Sequence, residues 1–111
     1  MKTQNLKDIK DFSVAVEGQD CKITSVYCAD LLSWAMTRAP EGCAWCTVMG
    51  NVNTVAVANL TDTAVIVLCE GAVLDQDACQ RAKEEGINIV TTRLPSFDAG
   101  NVIQKLLEKQ H

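Results

Sequence analysis

Aromatic residues are scarce. They make up 5% of the 111 residues, too few for a platform on which unpaired bases stack. Basic residues are also in short supply. Lys and Arg number 10 against 14 Asp and Glu, for a net charge of −4 and a pI near 4.8. Phosphate backbones are held by a basic face, so nucleic acid is not an expected partner. The same deficit argues against an anionic membrane surface. No apolar run exceeds about six residues, against the roughly 20 that a spanning helix needs. Residues 1–10 are polar and lack the apolar core of an export signal. Histidine occurs once, at His111, so no Cys–His or Ser–His pair is on offer. Neither Gly-x-x-x-x-Gly-Lys-Ser/Thr nor Gly-x-Gly-x-x-Gly is present. These absences point to a cytoplasmic protein that is not an enzyme, with neither nucleic acid nor a membrane as partner.

What is present reads as one α/β domain over residues 1–111. The most informative stretch is 64–93. Six apolar residues, Ala64-Val65-Ile66-Val67-Leu68-Cys69, precede Glu70-Gly71. A helical pattern over 75–85 is stopped by Gly86. A second apolar run, Ile87-Asn88-Ile89-Val90, ends in Thr91-Thr92-Arg93. This is a strand–helix–strand unit with a parallel crossover. Upstream, the pattern predicts a short helix around Leu6 and Ile9, strands over 13–17 and 22–26, and a helix over 27–39 with Leu31, Leu32, Ala35 and Met36 on its stripe. Asp30 would lie in the first turn of that helix. A strand over 43–49 follows, then a helix over 53–60 on Val52, Val55, Ala56 and Leu60. The last helix starts at Pro95 with Ser96 as N-cap and carries Val102, Ile103, Leu106 and Leu107. Helices alternating with near-continuous apolar strands imply a mainly parallel sheet covered on both faces.

In such sheets ligands bind beyond the carboxyl ends of the strands. Three loops qualify: the one holding Asn51, Asn53 and Thr54, the pair Glu70 and Gly71, and the run Thr91, Thr92 and Arg93. They offer amide, hydroxyl, carboxylate and guanidinium groups near helix N-termini, a setting for a small anion or a nucleotide. Thr24, Ser25 and Asp30 complete the candidate ligand set, because Asp30 stands within reach of the Thr24-Ser25 turn. The alternative is that these are ordinary turn and capping residues.

Six cysteines form a second pattern. With no export signal, and with several inside apolar runs, they read as reduced thiols packed as small hydrophobes, with no cofactor. The alternative is a metal or iron–sulfur site. Cys43 and Cys46 have the C-x-x-C spacing, and Cys21 and Cys28 could join them. Within a strand, however, positions i and i+3 face opposite sides, so Cys43 and Cys46 would need a bulge to share a metal. Cys69 and Cys79 fit packing better.

The run Asp20-Cys21-Lys22-Ile23-Thr24-Ser25-Val26-Tyr27-Cys28-Ala29-Asp30-Leu31-Leu32-Ser33 resembles the signature segment of the DRTGG domain. So do Ala44-Trp45-Cys46-Thr47-Val48, Asn53-Thr54-Val55-Ala56-Val57-Ala58, and Ala82-Lys83-Glu84-Glu85-Gly86-Ile87-Asn88-Ile89-Val90 with Thr91-Thr92. The resemblance covers about residues 6–107. It departs from the name-giving motif at Cys21, where Arg is usual, and at Ser25-Val26, which replace paired glycines. It implies a fold like the N-terminal domain of HPr serine kinase/phosphorylase, without a kinase domain. It also implies a non-catalytic regulatory, ligand-sensing or assembly module, a homodimer, and association with hydrogenases or other redox enzymes. Its alternative implication is an iron–sulfur accessory protein.

Overall fold

A computed structural model describes residues 1–110. The apolar runs become one five-stranded sheet: β1 (Phe12–Val16), β2 (Ser25–Cys28), β3 (Cys43–Thr47), β4 (Val65–Leu68) and β5 (Asn88–Thr92). Their spatial order is β1-β5-β4-β3-β2. Strands β2 to β5 run parallel. Strand β1 joins β5 antiparallel at one edge, with a bulge between Val14 and Val16. The helices are α1 (Leu32–Arg38), α2 (Val52–Leu60), α3 (Gln76–Glu85) and α4 (Ser96–Glu108), and Thr3–Asp8 is a 3₁₀ helix. The chain is therefore the expected α/β domain with a mainly parallel sheet.

Every residue of β3 and β4 is buried, because helices cover both faces of the sheet. On one face, Ala99, Ile103 and Leu107 of α4, with Leu6, pack on Ala44, Cys46, Val65, Val67 and Val90. On the other, Ala35 of α1, Val55 and Ala58 of α2, and Ala78 and Ala82 of α3 pack on Cys43, Trp45, Ile66 and Ile89. Trp45 is fully buried, and its indole N–H donates to the Ala29 carbonyl at 2.8 Å. The end of α3 is as expected: Gly86 adopts the left-handed conformation, φ 71°, which lacks a steric penalty only for glycine.

Four local expectations are corrected. Tyr27 and Cys28 extend β2 instead of opening a helix, because Val26, Tyr27 and Cys28 pair in register with Ala44, Trp45 and Cys46. Helix α1 therefore starts at Leu32 and fully buries only Ala35. Asp30 then lies before that helix and not in its first turn. The buried face of α2 is Thr54, Val55, Val57 and Ala58, with Leu60 exposed, since both α1 and α3 pack against it. Ser96 is the first residue of α4. Pro95 holds the cap position with extended backbone and no side-chain cap.

Candidate functional site

The carboxyl ends of β2 to β5 form one rim of the sheet, and the antiparallel direction of β1 brings its first residues to the same rim. A cleft of about 600 Å³ opens there between the β1–β5 edge and the loop after β4. Its floor comes from strand pairing. Ser13 is the register partner of Thr91, and Phe12 of Thr92, so the Ser13 and Thr91 hydroxyls share one face of the sheet. Its far wall is a tight turn. Glu70 and Gly71 are both left-handed, φ 59° and 67°, and the Ala72 N–H donates to the Cys69 carbonyl at 3.1 Å. Two successive positive φ values are the mark of a I′-type turn. The turn is fixed to β5 by Glu70 N–H to the Leu94 carbonyl and Gly71 N–H to the Thr92 carbonyl, both 3.0 Å. Beyond its two chain neighbours, no atom of the described residues lies within 4 Å of a Cβ built on Gly71, so this wall stands clear of more distant side chains.

Four of the sequence-derived candidates line the cleft together: Gly71, Thr91, Thr92 and Arg93. Arg93 is exposed. The ion pairs among the described residues are Lys2–Asp20 and Arg81–Glu85, which leaves the Arg93 guanidinium without one. The Thr92 hydroxyl accepts from the Leu94 N–H at 3.2 Å and holds the backbone that carries Arg93. Asp11 and Ser13 also line the cleft. Local sequence pattern gave no sign of them, since only the antiparallel seat of β1 brings them beside Thr91.

The remaining candidates lie elsewhere. Glu70 sits in the turn but does not line the cleft. The Asn51 side chain caps α2, accepting from Thr54 N–H at 3.1 Å, and Asn53 is exposed on that helix. The segment after the β4 turn closes this loop. Asp75 N–H donates to the Gly50 carbonyl at 2.9 Å, and a Cβ on Gly50 would meet the Val73 carbonyl oxygen at 2.1 Å. Thr24 and Ser25 lie at the opposite, amino end of the sheet. There the Thr24 hydroxyl donates to the Glu41 carbonyl at 3.0 Å. The Ser25 hydroxyl oxygen is buried and has no hydrogen-bond partner among the described residues. Asp30 does not reach that turn. Its carboxylate accepts from the Thr47 hydroxyl at 2.8 Å and the Val48 N–H at 2.9 Å, bracing the end of β3. His111 lies outside the described residues.

The four metal candidates do not converge, so they do not fit an iron–sulfur cluster. Cys21 and Cys43 lie toward the amino end of the sheet, where Cys21 donates to the Gln19 carbonyl. The Cys43 thiol lies 3.8 Å from the Thr63 hydroxyl. Burial raises the Cys43 pKa, which favours the neutral thiol. Cys43 and Cys46 face opposite helix layers, as strand alternation requires. Cys28 and Cys46 lie under the same spot of α4, and Cys69 neighbours Cys46. Among the described residues, no set of three or more His, Cys, Asp or Glu side chains is placed to hold a metal ion.

The fold is similar to that of a regulatory region from Clostridium perfringens pyrophosphatase, in a crystal structure of its CBS and DRTGG domains complexed with the activator diadenosine tetraphosphate. The match has a TM-score of 0.70 at 16% identity and covers 91% of this chain and 45% of that one. At that identity the likeness is one of fold. This chain spans less than half the length of that regulatory region. No family model matches the sequence, and no curated protein matches it either.

Proposed function

We propose that the chain is a non-catalytic regulatory module that binds a small phosphate-bearing ligand, of nucleotide type, in the cleft between β1, β5 and the Glu70-Gly71 turn. The observation that carries this reading is Arg93, whose guanidinium has no ion pair among the described residues and which lines one open cleft with Ser13 and Thr91. A guanidinium meets a phosphate through two parallel hydrogen bonds, and the hydroxyls supply further donors. Asp11 places an acceptor in the same cleft. It suits a ribose hydroxyl or an exocyclic amine and disfavours a second unscreened phosphate. A fold shared with a nucleotide-activated regulatory region supports the ligand class.

The test is calorimetric titration with AMP, ATP, a diadenosine polyphosphate and inorganic phosphate. Binding by at least one nucleotide is expected, weakened about tenfold or more by Arg93→Ala, a loss of roughly 1.4 kcal/mol or more. A ligand at 100 times its dissociation constant would also raise stability by about 2.7 kcal/mol. No binding by any of the four sinks the reading.

A second reading, assembly, rests on a separate observation. Strand β2 is an edge with a hydrogen-bonded neighbour on one side only, and Leu31 and Trp34, just beyond it, are exposed at 56% and 51%. An unpaired edge flanked by apolar side chains is a seat for another strand. The occupant we assign is a second copy of the chain, giving a homodimer. Light scattering on purified protein should return twice the chain mass, and a monomer at micromolar concentration rules the assignment out. The regulated target is a further protein. The sequence resemblance favours a hydrogenase or another redox enzyme, and six unbridged thiols suit a reducing cytoplasm.

A further inference from the structure

Parallel pairing makes Cys28 of β2 and Cys46 of β3 register partners. Register partners on neighbouring strands point to the same face, here the face beneath α4, where Cys46 is part of the core. The spacing of neighbouring strands, about 4.8 Å, falls within the roughly 4.4–6.8 Å between Cα atoms that a disulfide spans. Helix α4 covers the pair at Gly100. A Cβ built there would stand 3.3 Å from the Cys28 sulfur and 3.7 Å from the Cys46 sulfur, so both sulfurs sit under one small spot of the helix. The two thiols differ in access: Cys28 is exposed and Cys46 is buried.

We propose that Cys28 is a site of oxidation by hydrogen peroxide and that Cys46 is its resolving thiol, the product being a disulfide that staples β2 to β3. In the first step the Cys28 thiolate attacks peroxide. An S–O bond forms, the O–O bond breaks, and the departing hydroxide takes up a proton to become water. The Cys28 sulfur is oxidised to the sulfenic acid while the peroxide oxygen is reduced. In the second step the Cys46 sulfur attacks the Cys28 sulfur. An S–S bond forms, the S–O bond breaks, and the oxygen leaves as water with the Cys46 proton. Two thiols and one peroxide thus give one disulfide and two waters.

The surroundings favour the first step. The neighbouring Cys46 thiol lowers the Cys28 pKa to about 7, outweighing burial and the Asp30 charge, which act the other way. The thiolate is the reactive form. Cys46 keeps its proton, through its neighbours Cys28 and Cys69 and through burial, so Cys28 and not Cys46 is the thiol that meets peroxide first. Cys21 lies at the far end of the sheet and Cys79 on the other helix layer, so neither competes for this pairing. The inference stands apart from the ligand cleft, which uses none of these sulfurs.

The test treats reduced protein with peroxide and maps its cysteines by mass spectrometry, with dimedone as the sulfenic acid trap. The expected product is lighter by two hydrogens, carries a Cys28–Cys46 cross-linked peptide and reverts with dithiothreitol. Cys28→Ser, at an exposed position, should abolish the cross-link. Cys46→Ser should leave the dimedone adduct on Cys28. Should the buried Cys46→Ser variant not fold, the wild-type cross-link and its loss in Cys28→Ser decide the matter. A Cys28–Cys69 link, oxidation that starts at Cys21 or Cys79, or no reaction at Cys28 overturns the proposal.

Discussion

Cys28 has the same side chain as five other residues in this chain, and its surroundings set it apart. It ends an edge strand, so it is exposed, while parallel pairing gives it Cys46 as a register partner. The groups that act on its charge are Cys46, which stabilises the thiolate, and Asp30, which opposes it. Cys69 lies one strand further on, and α4 adds the Ser96 carbonyl at 3.9 Å from the Cys28 sulfur. A lowered pKa means the thiolate persists to lower pH. The rate of Cys28 alkylation by iodoacetamide should therefore be half-maximal at about pH 7, below the roughly 8.5 of an ordinary thiol. Quenched-flow labelling with peptide mapping reads this directly, and a midpoint at or above the ordinary value contradicts it. Residue type alone does not reveal this difference. The sequence shows Cys28, Cys46 and Cys69 as three separated thiols, and only the strand order sets them side by side.

At the scale of elements, the strand–helix–strand unit from β4 to β5 was legible, because period and punctuation agree there. Six apolar residues, a capped amphipathic segment and Gly86 leave one reading. The segment from Tyr27 to Asp30 was not legible, because helical spacing of Leu31, Leu32 and Ala35 competes with sheet pairing, and sheet pairing is non-local. That shift moves Asp30 from a helix turn to a brace on β3. Asp30→Ala removes two hydrogen bonds to the end of β3, from the Thr47 hydroxyl and the Val48 N–H. At this exposed position it should cost about 1 kcal/mol in urea unfolding. It also removes the charge that raises the Cys28 pKa, so the alkylation midpoint should fall in the same variant. Unchanged stability together with an unmoved midpoint would show that Asp30 does not brace this rim. The candidate loops divide for a related reason. Asn51 and Thr54 form a helix cap that the segment around Val73 closes over. Thr91 and Arg93, by contrast, stay open at the sheet edge.

For the molecule as a whole, strand order decides what the rim can do. Had β1 taken the other edge, Asp11 and Ser13 would lie far from Arg93, and the cleft would lack one wall. Sequence pattern located the carboxyl-end rim and four of the residues that line the cleft, Gly71, Thr91, Thr92 and Arg93. It could not show which edge the amino-terminal strand would take, since Phe12–Val16 carries no local mark of its partner. The acidic balance of the chain, −4, makes a lone exposed guanidinium in an open cleft the more telling feature. The anion binding proposed for this cleft would rest on local geometry and not on a general positive field.

The most direct test of the account is calorimetric titration of the reduced protein with AMP, ATP, a diadenosine polyphosphate and inorganic phosphate, in parallel with Arg93→Ala. We expect saturable binding to the native chain, about tenfold or more weaker in the variant, with the unfolding midpoint of the ligand-free variant unchanged. Binding that is equally tight in both proteins, or absent from both, contradicts a ligand seated between β1, β5 and the Glu70-Gly71 turn.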